Sequence, residues 1–391
     1  MAMAVPTTGS GPRRPTGRIA DGLPSPTIDR LTATAFTIPT DAPESDGTFA
    51  WDRTTIVVVQ ITSGDTTGLG YSYADVNAAR LATEVLAPRV LGRPAMDVPG
   101  AWSAMVGEVR NLGRPGLAAT AISAVDNALW DLKARLLGLS MADLLGTARD
   151  AIAGYGSGGF CSYDDARLAG QLGGWAEVGF RRVKVKVGRE PERDPHRLDV
   201  ARRAIGDEVE LFVDANGAHD RPSALLAAKQ FGERDVRWFE EPVSSDDLPG
   251  LRLIRDRAPA GMAIAAGEYG WDLDDFRGLL GAGAVDILQA DATRCLGTTG
   301  FLAAAALCEA HHTPLSAHCA PSLHVSLTCA VRPAIHLEWF HDHVRIEHLL
   351  FEGSPRPHDG FLAPDRGRPG FGLELREADA EPYLTWRGDA A

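Results

Sequence analysis

Two hydrophobic rhythms divide the chain. From Ile28 onward, apolar residues come in strand-like runs, "IDRLTATAFTIP" and "TTIVVVQITSG", with the polar loop "TDAPESDGTFAWDR" (40–53) between them. Helical spacing follows near 75–90, 98–110 and 116–137, and the last of these stops at Gly138, a residue suited to a helix C-terminus. These segments predict an α+β unit over 28–150. The rhythm then becomes strand, helix, strand, helix. Strands are predicted at 151–156, 181–188, 208–216, 236–242, 262–268, 285–291, 313–319 and 334–340, with amphipathic segments such as "PHRLDVARRAIG" between them. This alternation implies an α/β fold with a parallel sheet. Eight strands fit a closed β/α barrel, and a doubly wound open sheet is the alternative.

Composition narrows the picture. Residues 1–27 are rich in Pro, Gly, Ser and Thr and lack the apolar segment of a signal peptide, so they read as a disordered tail. No apolar stretch is long enough to span a bilayer, which argues against a membrane partner. The net charge of −13 argues against nucleic acid, though not against a small anionic substrate held in a locally positive site. The five cysteines (Cys161, Cys295, Cys308, Cys319 and Cys329) are odd in number, scattered, and without a C-x-x-C pair. That usage fits a reducing cytoplasm.

The segment "RRVKVKVG" poses a chemical problem, because Lys184 and Lys186 share one face of a strand inside an alternating α/β pattern. A solvated lysine face is the ordinary explanation of such a pair. The neighbouring strands point elsewhere. They end in Asp214 and Asn216, Glu240 and Glu241, Glu268, Asp291, His318 and Glu338 in turn. In a parallel barrel all these ends open on one face, where active sites are built. Asp214, Glu240 and Glu268 offer hard oxygen ligands that suit Mg²⁺, and three converging carboxylates need a cation. Lys184 should depress the pKa of Lys186 and favour a neutral base, while Asp291 should orient His318 and raise its basicity.

The ordered motifs "KVK", "DAN", "FEEP", "GE", "QAD" and "SAH" resemble the enolase superfamily, mandelate racemase subgroup, and "AISAVDNALWDLKARLLGLSMADLLG" resembles the end of that family's capping domain. The resemblance runs from about residue 28 to the C-terminus. It implies a (β/α)7β barrel of the TIM type over 151–360, an N-terminal α+β capping domain over 28–150, and a segment, 361–391, returning to the cap. It also implies Mg²⁺ on Asp214, Glu240 and Glu268, Lys186 as base on one face, and the His318–Asp291 pair as acid or base on the other. Lys184 and Glu338 would contact the substrate carboxylate, with Glu338 protonated or sharing a proton, and Asn216 would lie near the substrate oxygens. Substrate-facing loops would lie at 40–53 and 70–76, with Phe49 and Trp51 forming a partly apolar lid. The implied chemistry is removal of the proton α to a carboxylate. Dehydration of a sugar acid is the favoured outcome, and racemisation or epimerisation of a 2-hydroxy acid is the alternative. A homo-oligomer is expected.

Other signals are weaker. "GYGSGGF" contains G-x-G-x-x-G, but no helix opens at the turn and the next strand ends in lysines, so it reads as a barrel-top loop rather than a dinucleotide site. His341–His343 and His311–His312 read as surface histidines, and Glu241 as pointing away from Glu240. An NAD-dependent dehydrogenase and a catalytically silent binding protein are the remaining readings.

Overall fold

Eight parallel strands close a barrel in the computed structural model, which describes residues 26–391. The strands are Ile152–Gly158, Arg182–Lys186, Glu210–Asp214, Val236–Glu240, Ala263–Ala266, Ile287–Ala290, Leu315–Ala317 and Ala334–Phe340. Closure comes from the last strand pairing with the first, from Leu337 opposite Gly154 to Phe340 opposite Ser157. The outward face of the second strand, Val183 and Val185, joins the same core as Leu168, Leu172 and Leu198 of the surrounding helices. The inward face carries the lysines. Seven helices lie between the strands, and an eighth, His341–Leu350, follows the last strand, one more than (β/α)7β implies. It packs toward the N-terminal unit, where Glu347 accepts a hydrogen bond from the Tyr71 hydroxyl at 2.7 Å.

The N-terminal unit is an antiparallel meander, Arg30–Ser45, Ala50–Ser63 and Thr66–Tyr73, backed by helices that include Val98–Glu108 and Leu117–Leu136. The last strand of the chain, Leu384–Ala390, lies antiparallel along Arg30–Ser45. The terminal segment is divided, however, since Phe361–Leu362 pairs with the first barrel strand. The predicted tail lies outside the described residues except for Pro26 and Thr27. Pro26 accepts a hydrogen bond from the Ala95 amide at 2.7 Å, and Thr27 bridges Pro94, so these two belong to the N-terminal unit.

One helix locks the two units together. Ser123, Asp126 and Asn127 accept hydrogen bonds from the backbone amides of Gly297, Thr299 and Thr298 at 3.0, 2.8 and 2.9 Å. These donors open the helix Gly297–Ala310, whose first N–H groups have no partner within the helix itself. A Cβ at Gly297 would fall 2.4 Å from Asp126 Oδ2, so glycine is required there.

Two local readings are corrected. The polar stretch 40–53 is mostly strand, with Glu44 opposite Trp51 and Ser45 opposite Ala50, so it forms a hairpin arm. Its backbone is satisfied by the barrel: Ser45 O accepts from the Cys161 amide at 2.7 Å, and Phe49 O accepts from Arg189 Nη1 at 3.0 Å. Gly47 at the tip lies so close that a Cβ would sit 2.4 Å from Ala215 O. The second correction concerns "GYGSGGF", most of which forms the first barrel strand and not a loop. Side chains at Gly154 and Gly156 would collide with Phe180 and Trp175, so these glycines let the chain outside pack directly on the strand.

Candidate active site

The strand ends converge under the hairpin arm around a cavity of about 350 Å³. Lys186, Asn216, Glu268, His318 and Glu338 line it from the barrel, and Phe49, Trp51, Thr54 and Tyr73 from the N-terminal unit. Lys184, Asp214 and Asp291 are bonded to the lining groups Glu338, Lys186 and His318, and Glu240 is bonded to Lys184. Phe49 is 65% exposed and stacks on Trp51, whose indole packs edge-on against Phe160 and donates to Glu44 at 2.8 Å.

The lysine strand is not solvated. Lys184 is fully buried, with Nζ 2.7 Å from both oxygens of Glu240 and 2.8 Å from Glu338 Oε1. Lys186 donates to Asp214 Oδ2 at 2.5 Å and to Asn216 Oδ1 at 3.2 Å. Burial opposes the charge of both ammonium groups. It is outweighed by Glu240 and Glu338 at Lys184 and by Asp214 at Lys186, so both are held above the ordinary lysine range. Lys184 does lower Lys186, as expected, but the Asp214 carboxylate in direct contact outweighs it and the ammonium stays charged.

Glu338 also departs from expectation. Burial alone would push its carboxyl up, but Lys184, His318 and Lys186 together hold it well below the usual range. It is an ionised acceptor, taking hydrogen bonds from Ser157 Oγ at 2.5 Å and the Cys319 amide at 3.0 Å. On the other side, His318 Nδ1 lies 2.8 Å from Asp291 Oδ2, which fixes the Nδ1–H tautomer if the ring is neutral. Burial works against protonation of His318, and Cys319, Glu268 and Asp291 overcome it, so its basicity is raised well above normal.

Asp214, Glu240 and Glu268 bring ligand oxygens within 4.8 Å of one another, all buried. Burial and the neighbouring Asp214 push Glu240 up to about 8 in spite of Lys184. Glu268 Oε2 is buried and accepts no directed hydrogen bond among the described residues, although His318 Nε2 stands 3.2 Å away. An all-oxygen set that repels itself and keeps an unsatisfied oxygen fits a hard divalent cation.

Several residues near the site escaped the sequence reading. Glu241 is not in a regular strand: it is buried, its φ of 38° turns the chain out of the strand, and burial together with Glu268 and Asp214 pushes its carboxyl well up. His343 is buried and lines the cavity, unlike the exposed His311 and His312. Arg294 reaches Glu268 Oε1 at 3.3 Å. Cys319 touches both His318 and Glu338, and its position directly after a strand-end histidine was the available signal.

Comparison with known proteins agrees with this geometry. Residues 33–146 match the family described as "Mandelate racemase / muconate lactonizing enzyme, N-terminal domain", and residues 166–379 match "Enolase C-terminal domain-like". The chain is 33% identical over 357 residues to 3,6-anhydro-alpha-L-galactonate cycloisomerase of Streptomyces coelicolor, covering 89% of this chain and 97% of that protein. It is 33% identical over 294 residues to L-talarate/galactarate dehydratase of Salmonella typhimurium, 73% of each chain. The crystal structure of that dehydratase with Mg and L-lyxarohydroxamate superposes with a TM-score of 0.87 at 27% identity, over 98% of this chain and 97% of the other. A mandelate racemase/muconate lactonizing enzyme-like protein from Rubrobacter xylanophilus superposes with a TM-score of 0.90 at 53% identity, covering 92% of this chain and all of that one. The chain belongs to the mandelate racemase/muconate lactonizing enzyme group of the enolase superfamily.

Proposed function

We propose that the protein is a Mg²⁺-dependent enzyme that removes the proton α to the carboxylate of a small hydroxy acid, and that it dehydrates a sugar acid. One observation carries the reading: a single cavity joins a three-carboxylate cluster to a lysine on one side and an aspartate-backed histidine on the other. The residues that would hold the metal are Asp214, Glu240 and Glu268. Bound there, Mg²⁺ would supply positive charge where negative charge develops on the substrate carboxylate.

The chain's own groups do the rest. Lys186 takes the α-proton once it is neutral. Asp214 would hold the cation, and the like charge of Lys184 favours the neutral form of Lys186. Lys184 holds Glu338 from beneath, Glu338 would contact the substrate carboxylate once it takes up a proton, and Asn216 steadies Lys186 through its Oδ1. The electron pair of the broken C–H bond delocalises onto the carboxylate as an enediolate. Its collapse expels the β-hydroxyl, which leaves as water with a proton from His318, and the resulting enol becomes an α-keto acid. The same pair of groups favours a second reading, racemisation or epimerisation, if His318 returns its proton to the α-carbon from the opposite face.

The relatives named as sugar-acid dehydratase and cycloisomerase support the substrate class. No helix among the described residues is long and apolar enough to cross a membrane, and the free cysteines support a cytoplasmic setting. A homo-oligomer remains part of the proposal. A panel of aldonic and aldaric acids, assayed for α-keto acid and for optical change with Mg²⁺ and after EDTA, tests the reading. Turnover that survives metal removal, or no product from any acid, would count against it.

A further inference from the structure

Beside the carboxylate cluster lies a second ligand set of different chemistry. His318 Nε2, Cys319 Sγ and Glu338 Oε2 form a triangle with sides of 3.3 Å (N to S), 3.4 Å (S to O) and 3.8 Å (N to O). A tetrahedral zinc ion with bonds of ~2.0–2.3 Å has its ligand atoms roughly 3.3–3.6 Å apart. The triangle is therefore closed to within a few tenths of an ångström before any ion binds. All three residues are buried.

The histidine is prepared for such a role. When Nδ1–H donates to Asp291 Oδ2 at 2.8 Å, Nε2 is left facing the thiol at 3.3 Å and Glu338 at 3.8 Å, with Glu268 Oε2 of the carboxylate cluster 3.2 Å away. A carboxylate behind a ligating imidazole is the arrangement that orients metal-binding histidines. Cys319 and Ala320 have φ values of 53° and 40°, an uncommon backbone for side chains of their kind, and this turn sets the thiol against the imidazole of the preceding residue.

We infer that His318, Cys319 and Glu338 form an inhibitory site for a thiophilic divalent cation of the Zn²⁺ or Cd²⁺ class, distinct from the all-oxygen site of Asp214, Glu240 and Glu268. Sulfur and imidazole ligands select such ions over Mg²⁺. Binding breaks the S–H bond and displaces the Nε2 proton of protonated His318; both protons pass to solvent, and the thiolate and the Glu338 carboxylate together balance the charge of the ion. The ion occupies the nitrogen that serves as acid or base and the carboxylate that faces the substrate. It therefore blocks turnover and competes with substrate. The inhibition rests on the proposed function, whereas the binding does not.

The test uses the full chain saturated with Mg²⁺. Adding Cd²⁺ to wild type should produce the ultraviolet thiolate-to-cadmium charge-transfer band, saturating at one ion per chain and erased by EDTA. Cys319→Ser should lose the band, and Asp291→Asn should weaken binding by about 10–100-fold. Zn²⁺ should inhibit wild type competitively with substrate, and Cys319→Ser should lose that inhibition. Absence of the band in wild type overturns the site whatever the variants do. So does a band that persists in Cys319→Ser, which would place the ion on another cysteine. Competitive inhibition that fails to appear while the band forms would retain the site and reject the proposed role of His318.

Discussion

Lys184 joins the second barrel strand to the eighth across the first, with Nζ 2.8 Å from Glu338 Oε1 and both groups buried. The same ammonium holds Glu240. Removing it leaves two buried carboxylates without their principal cation. Lys184→Met should destabilise the EDTA-treated protein by about 3–5 kcal/mol in urea unfolding, the usual cost of breaking a buried pair. KM for the substrate should rise as well. A loss below about 1 kcal/mol would mean the network relaxes around the gap.

Asp291 and His318 carry the second prediction. Asp291 is among the groups that raise the basicity of His318. Asp291→Asn should lower the pKa of His318 and reduce kcat by roughly 10²–10⁴-fold, the range of a lost acid–base contribution. If His318 acts as the acid, activity falls as pH rises through its pKa. The basic limb of the kcat/KM profile should then move to lower pH in the variant. An unmoved basic limb would assign that limb to another group.

A third prediction concerns the hairpin arm. Glu44 is buried, and its Oε1 has no hydrogen-bond partner among the described residues. Burial, then Asp342, pushes it up to about 8. A carboxyl with a raised folded-state pKa favours the fold while protonated, and that contribution is lost as pH rises from about 4.5 toward 8. Glu44→Gln should therefore be more stable than wild type at pH 8.5, by on the order of 2–4 kcal/mol, with the difference vanishing near pH 4.5. Thermal unfolding of both proteins at the two pH values checks this.

Mg²⁺ should stabilise the protein by mass action, about 2.7 kcal/mol at 100 times its Kd. Asp214→Asn should keep its fold and lose this response. A response equal to that of wild type would place the cation elsewhere.

How much of this was legible depended on which face of the chain carried the message. Polar residues at strand ends are conspicuous because packing cannot explain them, so the lysines, the carboxylates, Asp291 and His318 are legible in the sequence alone. The hairpin arm is not legible because "TDAPESDG" has the composition of a loop, while its strand character comes from pairing with 50–53 and from contacts to the barrel. The glycines of "GYGSGGF" signalled a turn, yet their purpose is close packing against Trp175 and Phe180. Glu241 was assigned by strand alternation, which its left-handed backbone breaks. The protonation of Lys186 and Glu338 followed contact distances that no sequence spacing contains.

The central claim is that Lys186 and His318 address one α-carbon from opposite sides. The most direct measurement is exchange of the α-proton in D₂O with Mg²⁺ and an identified substrate, followed by NMR for each configuration. Lys186→Met should abolish exchange of one configuration and retain the other, and His318→Asn should do the reverse. Wild-type exchange of both configurations in both variants would contradict the account.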